Sequence, residues 1–70
     1  MGKGILTKRE REVFELLIKN YTTKEIAEKL GISEKTVRNH ISNVMQKLEV
    51  TSRTSAVIEL LKLNLFEIND

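Results

Sequence analysis

The sequence predicts an all-α fold of four helices with no sheet. First, four segments combine a polar cap residue with apolar residues at helical spacing. Second, the 70 residues include no proline that would interrupt a helix. Third, the only β-favouring cluster, residues 49–51, is too short to build a sheet. We take residues 1–70 as a single domain, because a chain of this length has room for one small core.

The first helix is predicted over about residues 7–19. Thr7 and Glu10 have the spacing of a capping box, in which each side chain accepts from the backbone N–H of the other residue. Apolar residues from Val13 to Leu17 then form a wide stripe, and Asn20 tolerates the left-handed conformation of a helix end. We therefore expect an amphipathic helix with a defined start.

The second helix is predicted over about residues 23–30. Thr22 and Glu25 repeat the capping-box pattern at its start. Gly31 follows the last apolar residue, and glycine adopts the positive φ of a sharp helix exit without steric cost. A short helix followed by an abrupt turn is therefore expected.

The third helix is predicted over about residues 33–48, with Ser33 as its cap. At about 100° per residue, one face carries Val37, Ile41, Val44 and Leu48. The opposite face carries Lys35, Asn39, Ser42 and Gln46, and Arg38 lies between the two faces. The aliphatic seam is expected to anchor the helix, which leaves the polar face available for another role.

The fourth helix is predicted over about residues 53–64, after a cap at Ser52 or Thr51. Its apolar residues occupy three faces, formed by Val57 and Leu61, by Ile58, and by Ala56, Leu60 and Leu63. This is more apolar surface than one contact covers, so a second contact is expected. Phe66 and Ile68 in the tail are expected to pack on the core or on a partner chain.

The composition excludes several classes of protein. There is no cysteine and only one histidine, so ligands for a disulfide or a zinc site are missing. His40 has no nucleophile or carboxylate at a spacing that would make it a catalytic base. No apolar run approaches the roughly 20 residues of a membrane span, and no signal peptide is visible. We expect a cytoplasmic protein with no enzymatic activity, no metal, no cofactor and no membrane contact.

The charge distribution is more informative than the net charge of +2. Residues 1–58 carry a net charge of +4, whereas residues 59–70 carry −2. A basic surface with an acidic far end suits a protein that binds nucleic acid, although many ordinary surfaces share this pattern.

The second and third helices, joined by Gly31 and Ile32, have the organisation of a helix-turn-helix. In this motif the second helix lies in the DNA major groove and its N-terminal half contacts base edges. Lysine and arginine donate to guanine, and asparagine pairs with adenine. Short polar or basic residues suited to a phosphate backbone are Thr22, Thr23, Lys24, Ser33 and Thr36. A merely solvated outer face explains the same periodicity, so periodicity alone leaves both interpretations open.

Three segments of the chain resemble the LuxR-type helix-turn-helix domain, also called GerE- or NarL-type. They are LTKREREVFELL, TTKEIAEKLGISEKTVRNHISNVMQKLEV and SRTSAVIELL. The likeness covers about residues 5–63, with the family's motifs in order and at the right spacing. It is greatest to members that stand alone without a receiver domain and regulate spore formation.

The resemblance implies a dimeric, sequence-specific transcription regulator that binds double-stranded DNA, with RNA polymerase as a further candidate partner. It implies base contacts from Lys35, Arg38 and Asn39, and from Ser42, at a position that is often a DNA-contacting lysine in the family. It places Thr23, Ser33, Thr36 and Lys47 near phosphates. It assigns the dimer contact to the fourth helix, in agreement with the apolar face of Ala56, Leu60 and Leu63.

The chain departs from the family at Asn20 and Glu49, where glycine is usual. Asparagine tolerates a left-handed φ, whereas glutamate does so at a cost of about 1 kcal/mol. Either the third helix ends differently here or some stability has been lost.

A protein-interaction module is the alternative function. The same helix-turn-helix core occurs in the promoter-reading region of sigma factors and in anti-activators that dock onto other helices. The outer face of the third helix would then meet a protein, and binding that is insensitive to salt would favour this interpretation over DNA.

Overall fold

The structure is a computed structural model that describes residues 6–63. Its helices are α1 (Lys8–Ile18), α2 (Thr23–Leu30), α3 (Glu34–Leu48) and α4 (Arg53–Lys62). No strand occurs among these residues, and the predicted all-α helix-turn-helix fold is confirmed. Each helix lies within its predicted range, and α4 stops two residues before its predicted end of 64. The expected contacts of Phe66 and Ile68 fall outside the described residues.

A hydroxyl residue caps the N-terminus of every helix. The four caps are Thr7, Thr22, Ser33 and Ser52. The Thr7 hydroxyl accepts from the N–H of Glu10 at 3.1 Å, and Glu10 Oε1 accepts from the N–H of Thr7 at 3.0 Å. Thr22 and Glu25 make the same two bonds at 3.1 and 2.9 Å. Both predicted capping boxes are therefore confirmed, and α1 and α2 start where local sequence directs them to start.

The first three helices share one kind of C-terminal end. A residue takes left-handed dihedrals, and the apolar residue after it donates its N–H to the carbonyl five residues back. The left-handed residues are Asn20, Gly31 and Glu49, with φ of 72°, 70° and 58°. The bonds run from Tyr21 to Leu16 at 3.1 Å, from Ile32 to Ala27 at 3.0 Å and from Val50 to Met45 at 3.0 Å. This is the Schellman ending, and it makes use of carbonyls that the helix itself leaves unpaired.

The residue that ends α3 is Glu49, for which the sequence left open either a different helix end or a loss of stability. The structure agrees with a loss of stability. Glu49 adopts the left-handed conformation that glycine usually provides, with φ 58° and ψ 45°. A residue with a Cβ is strained there by about 1 kcal/mol. The third helix therefore ends in a left-handed residue, as it would with glycine at this position, and the Cβ of Glu49 costs some stability.

Helix α3 is the centre of the fold, because it packs against α1, α2 and α4. The buried apolar residues are Val13, Phe14, Ile26, Ala27, Val37, Ile41, Val44, Ala56 and Leu60. The predicted seam of α3 contributes three of them, and Leu48 packs against the cluster while half-buried. Since every other helix is docked on this seam, the core determines which way the outer face of α3 points.

The prediction that Ala56 and Leu60 form a dimer surface is wrong for these two side chains. Both have 0% exposure within a single chain and belong to its core. A side chain that has no surface in the monomer has none to offer to a partner. Of the three predicted residues only Leu63 is exposed, at 47%.

The exposed apolar surface of α4 lies elsewhere on the helix. Its members are Ile58 and Leu61, and Leu63 follows the helix as its exposed C-cap residue. The expectation that α4 carries more apolar surface than one contact covers therefore holds, with a different face turned outward. Which face packs inward was decided by docking onto α3, because α4 is apolar on several sides.

Candidate nucleic-acid interface

The outer face of α3 consists of exposed polar and basic side chains. All four predicted base-contacting residues, Lys35, Arg38, Asn39 and Ser42, are exposed. The residues behind them, Val37 and Ile41, are buried. The helix therefore has an anchored side and an accessible side, and the accessible side carries donors and acceptors that match base edges.

Arg38 is paired with a neighbour that the sequence interpretation had not assigned a role. Its Nη1 lies 3.5 Å from Oε1 of Glu34, one turn earlier, and both side chains are about half exposed. An exposed pair at this spacing contributes only about 0.3–0.5 kcal/mol, so Arg38 can exchange it for a base at little cost. The i,i+4 spacing of the two residues is a signal from which the pair was predictable.

The residues predicted near phosphates gather at the starts of α2 and α3. Thr22, Lys24 and Ser33 are exposed, whereas Thr23 and Thr36 are half-buried. The Ser33 hydroxyl accepts from the N–H of Thr36 at 3.0 Å, and the two hydroxyls lie 2.9 Å apart. The first N–H groups of a helix have no acceptor within it, so such an end suits an anion.

Lys47 differs from the other predicted phosphate contacts. It lies in the last turn of α3, far from the capped start, and its Nζ is 2.6 Å from Oε1 of Glu10 in α1. The Glu10 side chain is only 5% exposed, and that of Lys47 is 37% exposed. Sequence reasoning missed this pair, because Glu10 and Lys47 are 37 residues apart and no local pattern links them.

Glu10 is held in its charged form by its surroundings. Burial raises the pKa of its carboxyl, but the hydrogen bonds from Lys47 and Thr7 and the charges of Lys47 and His40 outweigh burial. The pKa therefore lies below the ordinary value of 4.5. The carboxylate of Glu10 is thus the centre of a small electrostatic cluster between α1 and α3.

A short turn between two packed helices, with a polar and basic face on the second, defines a helix-turn-helix DNA-binding domain. The chain belongs to the luxR family of bacterial regulatory proteins, whose family model, GerE, matches residues 4–60. It is therefore a transcription regulator with a helix-turn-helix domain, and the family is one of regulators rather than enzymes.

This chain spans most of the length of one relative and less than a third of the length of two others. The chain is 67% identical over 67 residues to the spore germination protein GerE of Bacillus subtilis (strain 168), covering 96% of this chain and 90% of that protein. It is 53% identical over 58 residues to the transcriptional regulatory protein DegU of Brevibacillus brevis, covering 83% of this chain and 25% of DegU. It is 46% identical over 63 residues to the response regulator protein VraR of Staphylococcus aureus (strain NCTC 8325 / PS 47), 30% of whose length it spans.

A solved structure agrees with this assignment. The structure of the transcription factor GerE superposes on this chain with a TM-score of 0.88 and 55% sequence identity. The match covers 93% of this chain and 97% of the other. Within residues 6–63, no helix is long and apolar enough to cross a membrane.

Proposed function

We propose that this chain is a sequence-specific transcription regulator that reads the DNA major groove with α3 and binds as a homodimer. The observation that carries the proposal is the segregation of α3. Val37, Ile41 and Val44 are buried, whereas Lys35 and Arg38 on the other side are exposed. A helix anchored in this way presents a fixed set of donors, and fixed donors are what base discrimination requires.

Individual residues take different roles in this proposal. Arg38 donates to O6 and N7 of a guanine, Asn39 pairs with an adenine, and Lys35 donates to a nearby base. Ser42 is short, so it contributes at most a single hydrogen bond close to the helix. The phosphate contacts come from Thr22, Thr23, Lys24, Ser33 and Thr36, which set the position of α3 in the groove.

The dimer forms through the outer face of α4 in this proposal. Ile58 and Leu61 are large apolar side chains exposed on this short helix, Leu63 is exposed at its C-cap, and pairing with a second copy would bury them. Two copies of α3 would then enter successive major grooves about 34 Å apart on a roughly palindromic site. A regulator of this kind works in the cytoplasm, and RNA polymerase is its further candidate partner.

The reading role of Arg38 is tested by Arg38→Ala on a duplex selected by the wild-type chain from a random pool. The variant is expected to weaken specific binding by about 1–3 kcal/mol and to relax the preference at one base position. Fluorescence anisotropy gives the affinity, and a repeat of the selection with the variant gives the preference.

Arg11→Ala is the matched control for this experiment. Arg11 lies on α1, and its Nε is 3.7 Å from Glu15 in another exposed i,i+4 pair. The control variant should bind like the wild type. Equal loss in both variants would contradict the reading role of Arg38, and failure of the wild type to bind any duplex would favour a protein-interaction module.

A further inference from the structure

The pair of Glu10 and Lys47 connects the first turn of α1 with the last turn of α3. Glu10 Oε1 accepts from the Lys47 ammonium at 2.6 Å and from the Thr7 backbone N–H at 3.0 Å. The same oxygen therefore closes the cap of α1 and binds α3. Hydrogen bonds between two charged groups at this distance are among the strongest in proteins.

Burial makes the ammonium of Lys47 hard to remove from this carboxylate. The Glu10 side chain is 5% exposed, so water cannot replace Lys47 around most of the carboxylate. A buried charge that loses its partner is strongly unfavourable, because little solvent remains to stabilise it. To bind a phosphate, Lys47 would have to move away and leave the buried carboxylate of Glu10 unpaired.

Because the pair lies at the C-terminal end of α3, a small tilt of the helix there displaces the outer face at its other end. Lys35 and Lys47 are 12 residues apart, or about 18 Å along the helix axis. A tilt of about 10° at the Lys47 end would move Lys35 by about 3 Å, the length of one hydrogen bond. The angle between α1 and α3 therefore decides whether the base-contacting residues reach the bases.

We propose that Lys47 is a positioning residue, which acts through Glu10 to hold the angle of α3 and does not itself bind a DNA phosphate. This inference rests on the proposed function, because it concerns how α3 is held for DNA binding. It assigns Lys47 a role different from that of Lys24, although both are lysines at helix ends.

The test compares Lys47→Met with Lys24→Met in salt titrations on the selected duplex. Each phosphate contact contributes about 0.9 to the slope of log Kobs against log salt concentration. For Lys47→Met we expect about tenfold weaker binding with an unchanged slope, and a lowered Tm. For Lys24→Met we expect a slope smaller by about 0.9 with an unchanged Tm.

A double-variant cycle separates action through Glu10 from action on DNA. If Lys47 acts through Glu10, then Glu10→Gln alone weakens binding about as much as Lys47→Met, and the two together cost little more than either alone, because the pair is already broken. If Lys47 acts on DNA directly, Glu10→Gln alone leaves the affinity unchanged. The double variant buries a neutral amide instead of an unpaired carboxylate, so it also provides a folded protein should Lys47→Met not fold. Circular dichroism confirms folding at the temperature of each binding measurement.

Two results would overturn the proposal. A slope reduced by about 0.9 in folded Lys47→Met would show that Lys47 binds a phosphate. Wild-type affinity in the folded variant would show that the pair stabilises the fold without positioning α3. If the wild type itself bound no duplex, the proposed function would fail first, and the thermal coupling between Glu10 and Lys47 would still report whether the two helices are joined by this pair.

Discussion

The two ends of α3 are held in different ways. At the N-terminal end, the side-chain hydrogen bonds and the ion pair that the structure contains are local: Ser33 caps the helix through Thr36, and Arg38 pairs with Glu34 on the surface. At the C-terminal end, Lys47 reaches a buried carboxylate 37 residues away in the sequence. The difference shows that short-range bonds leave the side chains at the N-terminal end exposed, whereas the C-terminal end is joined to a residue from a distant part of the chain.

The same contrast appears in the turns that flank α3. Before the helix, Gly31 takes a left-handed φ of 70° with no strain. After the helix, Glu49 takes a φ of 58° and is strained. The turn before the helix is thus relaxed, and the strain lies in the turn after it, two residues beyond Lys47.

The largest expected effect comes from breaking the core that anchors α3. Leu60→Asp places a charge at a site with 0% exposure, so it should unfold the chain at a cost above about 4 kcal/mol. Circular dichroism at 25 °C should show loss of helix. A folded Leu60→Asp protein would contradict the assignment of Leu60 to the core.

Leu61→Asp is the control for that experiment and also tests the dimer. Leu61 is 36% exposed and lies next to Leu60, so a charge there is solvated and the chain should stay folded. If α4 forms the dimer, sedimentation equilibrium should show a folded monomer. An unchanged dimer would exclude the outer face of α4 as the interface.

The next largest effect comes from exchanging the turn residues on either side of α3. Gly31→Ala should destabilise the fold by about 1–2 kcal/mol through its backbone alone, because a Cβ at Gly31 meets no atom within 4 Å. Glu49→Gly should stabilise the fold by about 1 kcal/mol by relieving the strain at the opposite end. Asn20→Gly should gain less, because asparagine tolerates this conformation. Chemical denaturation measures all three, and a loss of stability in Glu49→Gly would contradict the strain.

The smallest expected effect is a change in how stability depends on acidic pH, and it comes from the charge of Glu10. Its pKa is lowered from 4.5 in the folded chain, so the stability it contributes is fully present above about pH 4.5 and is lost as the pH falls through the folded pKa. The Tm of the wild type should therefore drop more steeply below pH 4.5 than the Tm of Glu10→Gln.

Glu25→Gln provides the matched control for this pH dependence. Glu25 occupies the same capping-box position in α2 but is exposed, whereas Glu10 is buried. Its variant should keep the steep acid limb of the wild type. Parallel curves for the wild type and Glu10→Gln would contradict the role assigned to the pair.

Many local features of the chain were predictable from sequence. The capping boxes at Thr7 and Thr22, the left-handed Gly31 and the seam beginning at Val37 all depend on residues within one or two turns of each other. The exposure of Lys35 and Arg38 follows from the same periodicity. Such features depend on residues that are close in the sequence, so a short stretch of chain is enough to predict them.

Only the tertiary structure decided the features that depend on residues far apart in the sequence. Because α4 is apolar on several sides, its pattern did not show that Ala56 and Leu60 would pack inward and Ile58 and Leu61 outward. The sequence predicted only a capping role for Glu10, whereas in the folded chain Lys47 also lies 2.6 Å from it. Sequence by itself determined the helices, their caps and the polar face of α3, because these arise from neighbouring residues. Docking determined the buried face of α4 and the partner of Glu10, because each depends on which distant surfaces meet.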